Sequence, residues 1–489
     1  MKEPNNNRSE LRPNVVKETD SLDAHIPQDG NEYLFTDTFP KGTVKGLVIT
    51  AIAAIASILA FNMLPFDVDV NKGLAMLLFI GVLWLTEALH VTITAILVII
   101  VGVAIGIPDF DTKSALSSFA SPTIYLFFGG FALAAALHVQ RLDEKIALGL
   151  ISMAGGRLGN AVMLIFAATA LLSMWISNTA TAAMMLPLAI GMLSQVDREK
   201  DRGTFVFVLL GIAYSASLGG LGTIVGSPPN AIAAKALDVS FIDWMKFGLP
   251  LTFVLTPLLL GVMYLVLKPN LNVKIDKINK AKIEWTKPRV LTIIVFLATA
   301  ISWIFGKQLG EYLDISSMDS VIALSAAVAV VSLGLVSWKQ VSDNTDWGVL
   351  MLFGGGIALS NVLKQSGASL VMGETVANAL MTTPLFLVML VIAAFIIFLT
   401  EFASNTASAA LLVPVFVAIA EQMGLPTEVL VMIIGIGASC AFMLPVATPP
   451  NAIVFGTGLI KQSEMVRVGV VLNIVASLVV ACWAYFILL

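Results

Sequence analysis

Charge is what this sequence has least of. Asp, Glu, Lys and Arg make up 12% of its 489 residues, about half the share of an ordinary soluble domain. With 58% hydrophobic residues and a mean hydropathy of +0.92, a water-soluble globule is a poor description of the chain. Cysteine is almost absent too. Cys440 and Cys482 both fall in apolar stretches, which excludes a disulfide framework and reads as two buried free thiols. Enzyme signatures are missing: there is no His-Glu-x-x-His zinc pair, no Walker-type phosphate loop and no nucleophile–base arrangement within the apolar runs. An ATP-driven pump and an intramembrane metalloprotease are therefore poor readings, the chain is not expected to be an enzyme, and nothing points to nucleic acid. The first 43 or so residues lack the apolar core and small-residue cleavage site of a signal peptide, and read as a polar cytoplasmic tail.

Long apolar runs separated by short basic loops are what the sequence does have, and they place it in a bilayer as helices. The runs far exceed the roughly ten-residue strands of an outer-membrane barrel. Full crossings are expected near 44–64, 73–91, 93–107, 122–140, 205–237, 246–267, 290–306, 319–337, 347–364, 427–459 and 468–489. Two further stretches, 158–196 and 375–420, do not fit that template. The first has 39 residues without a formal charge. As one helix it would be about 58 Å long, nearly twice the roughly 30 Å hydrocarbon core. A re-entrant hairpin puts its polar cluster at mid-depth, whereas two full crossings would leave that cluster at an interface. With eleven crossings, two re-entrant hairpins and the N-terminus inside, 22 of the 28 Lys and Arg residues fall on the inner side. Lys72, Lys113, Lys235, Lys246, Lys307 and Lys364 remain outside. That bias predicts an inner-membrane protein with a cytoplasmic N-terminus and a periplasmic or extracellular C-terminus.

The chain also repeats itself. Gly129-Gly130-Phe131-Ala132-Leu133 recurs as Gly355-Gly356-Ile357-Ala358-Leu359, and Ser177-Asn178-Thr179-Ala180-Thr181 as Ser404-Asn405-Thr406-Ala407-Ser408. Gly226-Ser227-Pro228-Pro229-Asn230-Ala231-Ile232 recurs as Ala447-Thr448-Pro449-Pro450-Asn451-Ala452-Ile453. Three matches in one order at nearly one offset, separated by an odd number of crossings, describe an inverted repeat. Inverted repeats with broken helices meeting at the midplane mark secondary transporters.

Each Ser-Asn-Thr cluster sits at an expected hairpin tip, where the second arm begins with a helix N-terminus. Its unpaired N–H groups and positive dipole end attract an anion, while hydroxyl and amide oxygens can face a cation. Two such tips suit a two-ended anion such as a dicarboxylate. The Pro-Pro-Asn segments must break their helices, and the carbonyls so exposed suit a hard cation such as Na⁺. No Arg or Lys falls at either tip. Two negative charges buried without a protein cation are prohibitive, and each helix end supplies only about half a charge. Coupled cations close that gap, so Na⁺ symport is expected rather than uniport. Glu87 and Glu401 lie within expected spans as candidates for function or for structural hydrogen bonding. His90 and His138 read as isolated interfacial or packing residues.

At these motifs the chain resembles the divalent-anion/sodium symporter family, particularly its bacterial INDY-type dicarboxylate transporters, over residues 45–489. The resemblance implies an all-α polytopic homodimer of eleven-helix protomers with two re-entrant hairpins. Each protomer has a scaffold and an elevator-like transport domain driven by Na⁺. The expected division is a tail over 1–43, scaffold helices over 44–140, transport elements over 141–267, a basic linker over 268–289, scaffold again over 290–364 and transport elements over 365–489. Substrate contact is implied for Ser177, Asn178, Thr179, Ser404, Asn405 and Thr406, with Thr448, Pro228 and Pro449 nearby. A first Na⁺ site is implied at Ser173, Ser177, Asn178 and the Gly226 carbonyl, and a second at Thr400, Ala403, Asn405 and Ala447. The expectation is a Na⁺-coupled importer of C4-dicarboxylates such as succinate, malate and fumarate. A sulfate or tricarboxylate carrier is the near alternative, and an anion channel or sensor on the same scaffold a more distant one.

Overall fold

The computed structural model describes residues 43–276, 283–380 and 382–489. The expected polar tail and the centre of the basic linker, 277–282, lie outside the described residues. Among those described there is no strand. One antiparallel bridge joins Arg157 to Lys274, tying the linker to the start of the first hairpin.

The first helices of the first half are Thr43–Met63, Val68–Thr86, Val91–Ala104 and Pro122–Val139. A short helix, Leu142–Ile151, leads into the first hairpin, Leu158–Ser173 and Asn178–Leu193. The first broken span follows as Arg202–Gly219 and Pro228–Leu237, and then the long helix Phe241–Leu267. The second half repeats the order. Lys287–Ile304, Met318–Ser332 and Trp347–Gln365 precede a short helix, Ala368–Leu380. The second hairpin, Leu385–Leu399 and Asn405–Gln422, leads to the broken span Thr427–Gly437 and Pro449–Gly456, and Gln462–Trp483 closes the bundle.

Nine helices among the described residues are long and apolar enough to cross a membrane, or ten if the pair Gly306–Leu313 and Met318–Ser332, bent by 99°, is one span. Length and composition thus do not reproduce the expected eleven directly. Val91–Ala104 and Thr427–Gly437, both belonging to expected crossings, are apolar but too short to pass that test, and the hairpin's return arm Asn405–Gln422 passes it. Three boundaries also move. The second span runs from Val68 to Thr86, because Glu87 turns left-handed at φ 48° and ends it. The stretch expected as one hairpin over 375–420 is divided: Ala368–Leu380 is separate, and Pro384 starts the hairpin proper. The third span, expected at 93–107, starts two residues earlier, where His90 accepts from Thr92 N as its cap.

Burial divides the helices sharply. Every residue from Thr204 to Gly219 is buried, and so is every residue from Val429 to Gly437. A helix apolar on all faces belongs inside a bundle, and these two broken spans form the axis around which the hairpins pack. Hairpins and breaks are interleaved: Asn178–Leu193 packs on Pro449–Gly456 of the other half, and Asn405–Gln422 packs on Pro228–Leu237. By contrast, Thr43–Met63 buries only Gly46, Ala53 and Ser57.

Two smaller expectations are corrected. Cys440 is buried but Cys482 is only half-buried, because it lies on the flank of the last helix. His138 is not isolated: its Nδ1 lies 2.9 Å from Asp143 Oδ2, since the turn at Arg141 folds the next helix back beneath it.

Candidate functional site

The local chemistry of each tip follows from its sequence. Ser177 ends the loop between the hairpin arms and caps the second arm, accepting from Ala180 N at 3.2 Å. Ser404 does the same for Ala407 N at 3.4 Å. The hydroxyl takes one of the four N–H groups that a helix start leaves unpaired, and Asn178 and Asn405 become the first helical residues.

Both breaks are held open by the Asn of Pro-Pro-Asn. Asn230 Nδ2 donates to Gly220 O and Thr223 O, both at 2.8 Å. Asn451 Nδ2 donates to Ala441 O at 3.2 Å and Leu444 O at 3.0 Å. Carbonyls orphaned by the missing helical turn are thus satisfied by one buried amide in each half. Nothing in the residue types alone marks these two asparagines as staples; their recurrence in the repeat is the only signal.

The second break carries an additional tie. Glu401 is fully buried and accepts from Phe442 N at 2.7 Å, from Met443 N and Leu444 N at 2.8 Å, and from Asn473 Nδ2 at 2.7 Å. Four donors explain how a carboxylate persists there. Glu401 is therefore a structural anchor. The repeat-related position is Met174, whose carbonyl instead accepts from Thr223 Oγ1 at 2.5 Å.

All six Ser-Asn-Thr residues line a single cavity of about 700 Å³, together with Gly226, Pro228, Ala447, Thr448 and Pro449. The structure thus brings both tips and both breaks together. Phe127, Phe131 and Val349 face them from the helices Pro122–Val139 and Trp347–Gln365, and Glu87, Asn344 and Asp346 line the cavity from helix ends. Among the described residues, no Lys, Arg or His lines this cavity. Ser227 and Ser439 hydroxyls meet at 3.0 Å in its wall, and Ser217 Oγ is buried there without a partner among the described residues. Ser217 and Ser439 carry no motif and escape a reading by sequence, whereas Ser227 belongs to the repeated Gly226–Ile232 segment.

Ser173, Thr400 and Ala403 lie outside the cavity lining, in or behind the tips. Ser173 is fully buried and in hydrogen-bond contact with the Asn178 amide, and it donates to Ala216 O at 2.7 Å. The same end of the Asn178 amide is 3.0 Å from Ala216 O and 3.2 Å from Gly226 O. The Ser173 hydroxyl and two carbonyls thus converge on one end of the Asn178 amide, and the Ala216 carbonyl is the unforeseen member, being backbone. In the other half Thr400 is buried, with its hydroxyl 3.0 Å from Ile396 O and 3.1 Å from Ile397 O of its own helix. Asn405 Oδ1 is buried and has no hydrogen-bond partner among the described residues. A buried amide oxygen without a donor is costly unless a cation faces it, so the donor set fits Na⁺. Glu87 lines the cavity, and His90 caps a helix.

Residues 44–489 match the family described as the sodium:sulfate symporter transmembrane region. The chain belongs to this family. As a member it is a multi-pass membrane transporter, a Na⁺-coupled carrier of anions, and not an enzyme. An uncharacterised transporter of Haemophilus influenzae is 55% identical over 449 residues, 90% of this chain and 97% of the relative. The sodium-dependent dicarboxylate transporter SdcS of Staphylococcus saprophyticus is 31% identical over 489 aligned positions, 92% of each chain. Among solved structures, the YdaH transporter of Alcanivorax borkumensis superposes with a TM-score of 0.58 at 14% identity, covering 81% of this chain and 99% of its own. That likeness concerns the fold alone.

Proposed function

We propose that this family member couples Na⁺ to the uptake of C4-dicarboxylates such as succinate, malate and fumarate. The observation that carries the reading is the single cavity shared by two repeat-related Ser-Asn-Thr tips with no basic side chain on its wall. Two separate donor clusters match a ligand with an anionic group at each end. Four helix N-termini open on the cavity, at Asn178, Asn405, Pro228 and Pro449. Each contributes about half a positive charge, but the prolines lack N–H donors. Sodium beside each tip supplies the remaining positive charge.

Substrate contact is assigned to Ser177, Asn178, Thr179, Ser404, Asn405 and Thr406, with Thr448, Pro228 and Pro449 completing the wall. The first Na⁺ site takes Ser173, Ser177, Asn178 and the Gly226 carbonyl; the second takes Thr400, Ala403, Asn405 and Ala447. At least two ions are bound. The three oxygens of Ser173, Ala216 and Gly226 gathered at the Asn178 amide, and the orphaned Asn405 Oδ1, support these assignments.

The interleaved hairpins and broken spans form the moving body, over 141–267 and 365–489, and the helices over 44–140 and 290–364 form a scaffold for an elevator-type homodimer. The sparse burial of Thr43–Met63, which leaves its apolar face to lipid, supports a peripheral place for the first scaffold helix. The N-terminus lies on the cytoplasmic side, with the loops of Glu87 and Asp346, and the C-terminus on the opposite side of the plasma membrane. The relation to SdcS supports the dicarboxylate class.

The test is uptake of labelled succinate into proteoliposomes, with and without an inward Na⁺ gradient. Sodium-dependent accumulation above equilibrium is expected, with competition by malate and fumarate. Accumulation of sulfate or citrate in place of succinate would overturn the substrate class, and flux indifferent to Na⁺ would overturn coupling.

A further inference from the structure

The Asn178 carboxamide occupies a place where its two orientations have opposite chemical consequences. One end meets Ser173 Oγ, Ala216 O at 3.0 Å and Gly226 O at 3.2 Å. The other end makes no hydrogen bond among the described residues, and the residue lines the cavity between the tips. With the amide oxygen turned inward, four oxygens converge, and the Ser173 hydroxyl has a single proton for them. Oxygen then faces oxygen, an arrangement that a hard cation stabilises. With the NH₂ turned inward, its two N–H groups serve the Gly226 carbonyl and Ser173 Oγ while the Ser173 hydroxyl donates to Ala216 O, and the cluster satisfies itself. The amide nitrogen then takes the position of the ion.

What faces the substrate reverses at the same time. Oxygen inward presents NH₂ to the cavity, a donor for a carboxylate. NH₂ inward presents the carbonyl dipole's negative end, which repels one. Building on the sodium and dicarboxylate reading above, we propose that the Asn178 amide is a two-position coupling switch: Na⁺ in the first site turns its oxygen inward and so creates the substrate's hydrogen-bond donor.

The other half lacks this device. Asn405 Oδ1 is buried and has no partner among the described residues. No competing acceptor cluster pulls the Asn405 nitrogen inward, so its amide is set for the ion without a reversal. The close approach that builds the first cluster also depends on glycine. A Cβ at Gly220 would fall 2.6 Å from Asn178 Oδ1 and 2.8 Å from Gly226 O, whereas the repeat-related residues of the second half are Ala441 and Ala447. Coupling by amide reversal is therefore a property of the first site alone.

The experiment uses the full chain in lipid nanodiscs, with asparagine labelled with ¹⁵N and the Asn178 side-chain resonance identified by its loss in Asn178→Asp. Sodium binding is followed separately by tryptophan fluorescence, for which half-buried Trp175 stands beside the tip. Adding Na⁺ without substrate is expected to shift the Asn178 NH₂ signals and to speed their hydrogen exchange at least tenfold, as they move from the cluster to the open cavity. The Asn405 NH₂ signals should not change in exchange by that factor. Asn178→Asp keeps an inward oxygen and loses the donor, so it should bind Na⁺ while succinate binding weakens about 10- to 100-fold, the worth of a hydrogen bond to a charged group. Sodium binding by fluorescence with unchanged Asn178 exchange would overturn the switch and leave the site assignment standing. An absence of Na⁺ binding would overturn the site assignment itself, and the switch with it. Succinate affinity retained in Asn178→Asp would show that the amide donor is not used.

Discussion

Replacing Gly220 by alanine perturbs the proposed first sodium site with one methyl group. The backbone there is right-handed helical, φ −56° and ψ −21°, so alanine adopts it without strain and gains up to about 1 kcal/mol in helix propensity. The fold itself should tolerate the change. The cost falls on the ion cluster. The new Cβ would stand 2.6 Å from Asn178 Oδ1 and 2.8 Å from Gly226 O, with Asn178 Nδ2 at 3.2 Å. Carbon does not approach oxygen that closely, and one of the two clashing oxygens is backbone in a buried turn. Relief requires the amide or the carbonyl to leave its place by several tenths of an ångström. Overpacking of this kind costs about 1–3 kcal/mol. Felt in the sodium-bound form, that corresponds to roughly 5- to 150-fold weaker Na⁺ binding. The assay is Na⁺ titration of purified protein by tryptophan fluorescence, with a thermal midpoint measured without Na⁺ as the control for folding. Unchanged sodium affinity at an unchanged midpoint would refute the placement of an ion between Asn178 and Gly226. The reverse change at the repeat-related position, Ala441→Gly, should leave sodium affinity within about twofold, because it removes a methyl group from a break that already accommodates it.

Three further outcomes are expected. Glu401→Gln replaces one acceptor oxygen with an NH₂ that opposes a buried backbone N–H, and should cost about 1–3 kcal/mol of stability; a thermal midpoint equal to that of the parent would count against the anchor role. Asn178→Ala and Asn405→Ala should each reduce sodium-driven succinate uptake at least about tenfold, the loss of one hydrogen bond to a charged group plus an ion ligand; normal uptake by both variants would remove the site assignment. Substituting choline for Na⁺ should weaken substrate binding steeply, measured by equilibrium binding in detergent. Affinity indifferent to that exchange would show that the helix ends alone hold the dianion.

Much of the architecture was legible because a bilayer restricts the choices. Apolar runs too long for one crossing and too short for two, such as 158–196, left the hairpin as the economical solution, and Leu158–Ser173 with Asn178–Leu193 is that hairpin. The Ser-Asn-Thr tips were visible because the sequence states them twice. What escaped was of two kinds. Helix ends set by one backbone conformation, as at Glu87, have no periodic signal. Contacts made by main chain or by common residues, such as the Ala216 carbonyl and the Ser227–Ser439 pair, depend on which segments the fold brings together. The second hairpin was placed ten residues too early because residues 375–380, beyond Glu374, carry no charge and run on into the much more apolar arm that starts after Pro384.

The repeat explains why the two halves meet at one cavity; its imperfections explain why the two halves can act differently there. Where the first half has Gly220 and Gly226, the second has alanines. Where the first hairpin offers the Met174 carbonyl to Thr223, the second offers the Glu401 carboxylate to three backbone N–H groups. The second break is thus clamped by charge-assisted hydrogen bonds, roughly twice as strong as neutral ones, and its geometry is fixed before any ion arrives. The first break is held by one threonine hydroxyl and one asparagine amide, so its carbonyls are the more compliant set. A compliant site gains more order on binding an ion than a rigid one, and that ordering is available to be shared with a substrate. On this argument the first site, not the second, should set the sodium dependence of substrate affinity, and Gly220→Ala should reduce that dependence more than any single substitution at Thr400 or Ala447.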